Sequence, residues 1–109
     1  GTALETSGDV TVTVTLLPGP AGLTLPHLDD DTMIGVLGCH RDAGLERNLE
    51  AAMVATHRRL MAEYGLAPAD AYQLVGATAR VLVNQCVAPP TWSTVYVGVP
   101  RPLADRRGG

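Results

Sequence analysis

Between Glu63 and Pro90 the chain reads EYGLAPADAYQLVGATARVLVNQCVAPP, a helix stop and a helix start followed by a run with almost no charge. Gly65 suits the left-handed position just past a helix end, and Leu66 can fold back on the last turn. Pro68 fits the first turn of a following helix, where its missing N–H is not needed. Between Ala69 and Ala88 the strongly polar side chains are Asp70, Gln73, Arg80, Asn84 and Gln85. A helix with so few polar positions cannot lie half in water. The pattern therefore predicts a second helix, from Pro68 to about Ala88, enclosed on most sides and stopped by Pro89-Pro90.

The segment before that stop has helical spacing. Leu45, Leu49, Ala52, Met53, Thr56, Leu60 and Tyr64 form one core stripe, while Glu46, Arg47, Glu50, Arg58, Arg59 and Glu63 occupy the other faces. Asp42 is placed to cap its start. Strand patterns fill the rest. DVTVTVTLL, Asp9 to Leu17, alternates strictly and predicts a strand with one buried face, ended by Pro18-Gly19-Pro20. A short extended piece, Leu23 to Pro26, would complete a hairpin, and the like charges of Asp29-Asp30-Asp31 predict a solvated loop. Thr32 to Gly38 reads as a buried strand and Ser93 to Val99 as a final one, with a loose tail over 101–109. The order predicts an α+β fold over 1–100. Its sheet of about four mixed or antiparallel strands carries an antiparallel two-helix hairpin.

At 109 residues there is room for one domain. With 46% hydrophobic residues, no Phe and one Trp, its core must be built from Val, Leu and Ala. All eight basic residues are Arg, scattered in a chain of net charge -3. Phosphate recognition needs clustered positive charge, which argues against nucleic acid as a partner. No apolar run long enough to span a membrane is present, so none is expected as a partner. Cys39 and Cys86 read as two buried thiols in a reducing cytoplasm.

Few residues carry obvious chemistry. Cys39, His40 and Asp42 lack the second ligand pair that a metal site of contiguous residues needs. The triple Asp lacks a calcium loop's alternating ligands, and His27 and His57 read as solvated. Asn84 and Gln85, near the end of an apolar helix, need partners because each unpaired amide costs roughly 1 to 3 kcal/mol. Either nearby backbone satisfies them or one reaches a substrate amide. Arg80 could pair with Glu5 or Asp9. Glu5 stands in a small, apolar setting, where a raised pKa would suit acid/base work on an amide; a strand-end carboxylate in water is the other reading.

Several stretches together resemble the acetamidase/formamidase family of small-amide hydrolases. GTALETSGDVTVTV, Gly1 to Val14, is similar to that family's G-T-A/G-I/L-E start and following strand, and Thr32 to Gly38 to its T-x-G strand. Leu45 to Met53 is similar to its LDEAMR-type helix start. GLAPADAYQLVGATARVLVNQCV is the most specific match, to the pattern GLSREEAYxLxSxAxDLRVxQxV. Ala67 stands where the family has a capping Ser, and Ala79-Arg80-Val81 where it has Asp-Leu-Arg. The resemblance, in one consistent order to about Pro100, is to the family's C-terminal third. It implies a segment or small subunit of a larger β-rich cytoplasmic amidase that converts formamide, acetamide or a related short amide to carboxylate and ammonia. Its partners would be that substrate and either the missing N-terminal amidase segment or further copies of the chain. Any divalent metal would be held mainly by residues outside this chain. The same resemblance implies a site with Glu5 as its catalytic carboxylate, Thr2 and Thr6 beside it and Gln85 as a weaker candidate, to which the amide reading above adds Asn84 as a supporting residue. A non-catalytic assembly domain derived from that family is the alternative.

Overall fold

A computed structural model describes residues 5–16, 18–19, 24–86 and 93–104. The fold is α+β: one open antiparallel sheet with two packed helices on one face. In chain order the elements are β1 (His27–Asp29), β2 (Met33–Gly38), α1 (Leu45–Tyr64), α2 (Pro68–Thr78), β3 (Arg80–Cys86), β4 (Ser93–Pro100) and α3 (Arg101–Ala104). The strands lie in the order β1-β2-β4-β3. In β2 and β4, register sets Ile34 opposite Val99, Val36 opposite Val97 and Gly38 opposite Val95, which gives one continuous apolar face.

Local chemistry explains the helix boundaries. Gly65 adopts φ 66, the left-handed geometry that only glycine takes at little cost, and the Leu66 N–H donates to the Leu60 carbonyl at 3.3 Å. Three residues, 65–67, then suffice before Pro68 opens α2. The start of α1 departs from the expectation. Gly44, not Asp42, is the N-cap, without a side-chain bond, and Asp42 lies in the preceding turn at φ 58. A short polar side chain tolerates that conformation.

Residues on α1 that enter the core differ from the predicted stripe by two polar side chains. Asn48, Ala52, Thr56, Arg59 and Leu60 are buried, whereas Leu45 and Met53 reach the surface. Polar groups are tolerated there because each is bonded. Thr56 Oγ1 donates to the Val97 carbonyl at 2.9 Å. Asn48 accepts from the His40 N–H at 2.8 Å and donates to the Ser93 carbonyl at 2.7 Å, so it joins α1 to the ends of β2 and β4. Leu60, Ile34, Val99, Ala71, Val75 and Ala104 form the main cluster, and Ala52, Val95 and Val97 a second.

The predicted long helix is corrected. It ends at Thr78, whose hydroxyl donates to the Leu74 carbonyl at 2.6 Å, and Ala79 is already extended. Arg80–Cys86 is an edge strand exposed along its whole length, and α2 buries only Ala71 and Val75. The expected enclosure of Pro68 to Val87 is absent among the described residues. A short apolar run fits either period, and Val81 and Val83, β-branched and paired with Val97 and Val95, decide for the strand.

The N-terminal alternation is corrected too. Among the described residues Asp9–Leu16 pairs with no strand, and Val10, Val12, Val14 and Leu16 are 79 to 96% exposed. Of the short piece expected from Leu23 to Pro26, Leu23 lies outside the described residues and Thr24 to Pro26 is not strand; the short strand is His27–Asp29, so Asp29 belongs to a strand. Asp30 builds the hairpin turn, its Oδ1 accepting from the N–H groups of Thr32 and Met33, each at 2.7 Å. Arg101–Ala104 is a helical turn with Ala104 buried, not part of a loose tail; 105–109 lie outside the described residues. Both cysteines are free thiols, but Cys86 is exposed on β3.

Candidate functional site

The densest polar constellation among the described residues joins β1 to the last turns of α1. Arg59, only 8% exposed, directs Nη1 and Nη2 at the two carboxylate oxygens of Asp29, each at 2.6 Å. Its Nη1 also donates to the Gly35 carbonyl at 3.0 Å, and its Nε to Glu63 at 2.9 Å. Planar guanidinium geometry makes this two-pronged pairing possible. His27 completes the cluster, with Nδ1 3.6 Å from a Glu63 oxygen. The expectations of a solvated Asp29, a solvated His27 and a surface Arg59 are thereby corrected.

Burial alone would raise the Asp29 carboxyl, but the Arg59 hydrogen bonds and charge outweigh it and hold its pKa below the ordinary value. Burial first, and the Arg59 charge second, push His27 below 6.5. Linkage then sets the pH response. Asp29 contributes stability that is fully present above the unfolded carboxylate pKa of about 3.9 and is lost as pH falls through its lower folded value. For His27 the unfolded chain takes up a proton first, so stability also declines as pH drops below about 6.5. Urea midpoints measured from pH 8 to pH 3 should show both declines. His27→Gln should remove the upper one and Asp29→Asn should reduce the lower one, to which Asp30 also contributes because the Thr32 and Met33 N–H groups hold its carboxyl below the ordinary value; unchanged profiles in both variants would refute the assignment.

Of these residues His27, Arg59 and Glu63 line part of an open groove of about 1440 Å³ between α1 and the β1 side, walled also by His40, Glu46, Arg47, Glu50 and Arg58 among others. It carries charges of both signs, and within it Arg59 and Glu63 hold one another. A smaller recess of about 280 Å³ lies between α1 and α2, against Met53, His57, Tyr72 and Val75. There His57 Nε2 donates to the Pro68 carbonyl at 3.0 Å, so His57 ties α1 to the start of α2 and is not a merely solvated side chain.

The residues expected to form the amidase site lie elsewhere. Glu5 and Thr6 are exposed on the unpaired N-terminal segment, where the Thr6 hydroxyl donates only to the neighbouring Ser7 carbonyl, at 3.4 Å. Thr2 lies outside the described residues. Asn84 occupies a bulge in β3, and Gln85 pairs with Thr94 in the ladder. Both are exposed, so the expectation of amides buried in a helix is corrected. Neither described recess contains any of them, and no ion pair joins Arg80 to Glu5 or Asp9 among the described residues. No three His, Cys, Asp or Glu side chains among the described residues converge as a metal site would require. No described helix is long and apolar enough to cross a membrane.

Sequence reasoning missed Asn48 and Arg59 because helical spacing assigns polar residues to the outside. A usable signal existed for Arg59 alone: Glu63 four residues on, a spacing that brings an acid beside a base. Compared with known proteins, the chain matches no family model, no curated protein and no solved structure.

Proposed function

We propose that the chain is the C-terminal segment or small subunit of an amidohydrolase that cleaves a short aliphatic amide of the formamide or acetamide type. Support comes from the ordered resemblance to the acetamidase/formamidase family. The single observation that carries the reading furthest is the placement of its candidate residues. Glu5 and Thr6 project from a segment off the sheet, and Asn84 and Gln85 from an exposed edge strand. Groups so placed can meet a substrate only in a pocket completed by further polypeptide. In that pocket water adds to the amide carbon, the developing oxyanion is held by fixed donors, and the C–N bond breaks as nitrogen takes a proton to leave as ammonia. Glu5 orients the water or carries that proton. A divalent metal would be held mainly by residues outside this chain.

The second reading, a non-catalytic assembly domain, is favoured by the open β3 edge. Ammonia release from formamide and acetamide separates the two. The chain alone should release none; the chain mixed with an upstream amidase segment should, and Glu5→Gln should lower that rate by about 100-fold. Absence of release from the mixture would leave assembly as the function.

A further inference from the structure

Two features of the chain are complementary. Asp9–Leu16 has strand alternation and no partner, and β3 is a seven-residue strand whose outer edge has no neighbour among the described residues. Unpaired backbone along an edge is a template for another strand. We infer that Asp9–Leu16 of one copy adds to the β3 edge of a second copy, and the reverse, closing a two-fold dimer by strand exchange.

Length favours β3 over the other edge, because β1 has only three residues. Charge favours one alignment. Asp9 is the only charged residue of the segment, and Arg80 the only one of β3. Setting Asp9 beside Arg80 in a parallel pairing places Val10 and Val12 next to Val81 and Val83, on the face that carries Val97 and Val95. The alternation then agrees with the sheet, whereas a one-residue slip would send the threonines to that face. The bulge between Val83 and Gln85 puts one extra residue into β3, so beyond it Cys86 returns to the face of Ser93 and Val95 and comes beside Val14 rather than Thr15.

A second copy is the better donor than the same chain. The segment leads into β1, at the opposite edge of the sheet. The ten residues 17–26 could reach across the roughly 19 Å of four strand spacings, yet within one copy the segment pairs with no described strand. Exchange between copies gives two identical junctions that form a closed isologous contact. This inference stands whether or not the assembled protein hydrolyses amides.

Sedimentation of the full chain tests it directly. A dimer is expected, and the double variant Val12→Pro/Thr13→Pro, which removes two donors from a segment that its own sheet does not use, should sediment as a monomer with unchanged far-ultraviolet circular dichroism. Crosslinking checks donor and alignment together. In a Cys39→Ser background, Val14→Cys should form a disulfide with Cys86 of the other copy, which lies opposite Ser93 on the same face as Val95, giving a dimer band that reductant removes, while Val10→Cys should not. A wild-type monomer, a dimer that survives the double proline variant, or a Val14→Cys disulfide confined to one chain would each overturn the proposal.

Discussion

Gly38→Ala should lower stability by about 3 kcal/mol, the upper end of what overpacking usually costs, because the added methyl meets backbone that cannot turn aside. A Cβ at Gly38 would overlap the Asn48 carbonyl oxygen, stand 2.9 Å from the Asn48 carbonyl carbon and crowd the Ala52 methyl at 3.2 Å. These atoms belong to α1 where it crosses the end of β2. Relief requires moving the helix, and helix movement breaks the Asn48 bonds to the His40 N–H and the Ser93 carbonyl. Asn48 is fully buried, so those groups would lose their partners out of reach of water. Gly76→Ala provides the control. On the exposed side of α2 nothing lies within 4 Å of an added Cβ, so that change should stabilise by roughly 0.5 to 1 kcal/mol through helix propensity. Urea unfolding followed by circular dichroism reads both. Equal midpoints for Gly38→Ala and the wild type would show that α1 does not approach β2 so closely.

The parts of the fold legible in the sequence are those whose cause is local. Gly65 and Pro68 mark the turn between the helices because each acts through its own backbone geometry. The closing strand was legible because Val95, Val97 and Val99 alternate with residues of the other face and the strand lies at the centre of the sheet. Elements that depend on a partner were not. Asp9–Leu16 has the same alternation as β4, yet alternation only states that a strand would have two faces. It does not supply the neighbour that satisfies its backbone. Arg80–Cys86 was misread for a related reason. Val81-Leu82-Val83 fits a buried helix or a strand equally well, and its pairing with β4 depends on residues ten or more positions away.

The amide site expected on Glu5, Asn84 and Gln85 rests on resemblance alone. Glu5, Asn84 and Gln85 have no local pattern that implies an amide pocket, and their surroundings in the fold are exposed surface. The cluster around Arg59 shows the opposite case. Asp29 is thirty positions away, and the two meet only because β1 pairs with β2 beneath α1. No window of sequence contains that contact.

Arg59→Ala should destabilise the protein by about 3 kcal/mol, the lower end of the cost of removing one member of a buried ion pair. The guanidinium side chain is 7% exposed, whereas Asp29 and Glu63 are 31% and 38% exposed, so water can partly take over the two carboxylates once their partner is gone. It can do less for the Gly35 carbonyl, which receives a buried Arg59 hydrogen bond. Arg59→Met keeps much of the side-chain volume without the charge, and should cost less than alanine because packing along the stem survives. A double-mutant cycle isolates the pair itself. Asp29→Asn in the wild type breaks a two-pronged bond, whereas in the Arg59→Met background it removes an acid with no base to hold. The two costs should therefore differ by about 0.5 to 3 kcal/mol, the range for residues in direct contact. That coupling should persist in 0.5 M NaCl, since screening acts weakly on a pair whose cation is buried. A coupling near zero would mean that apolar packing alone holds α1 to the β1 edge, and that the pairing of Asp29 with Arg59 is incidental to stability.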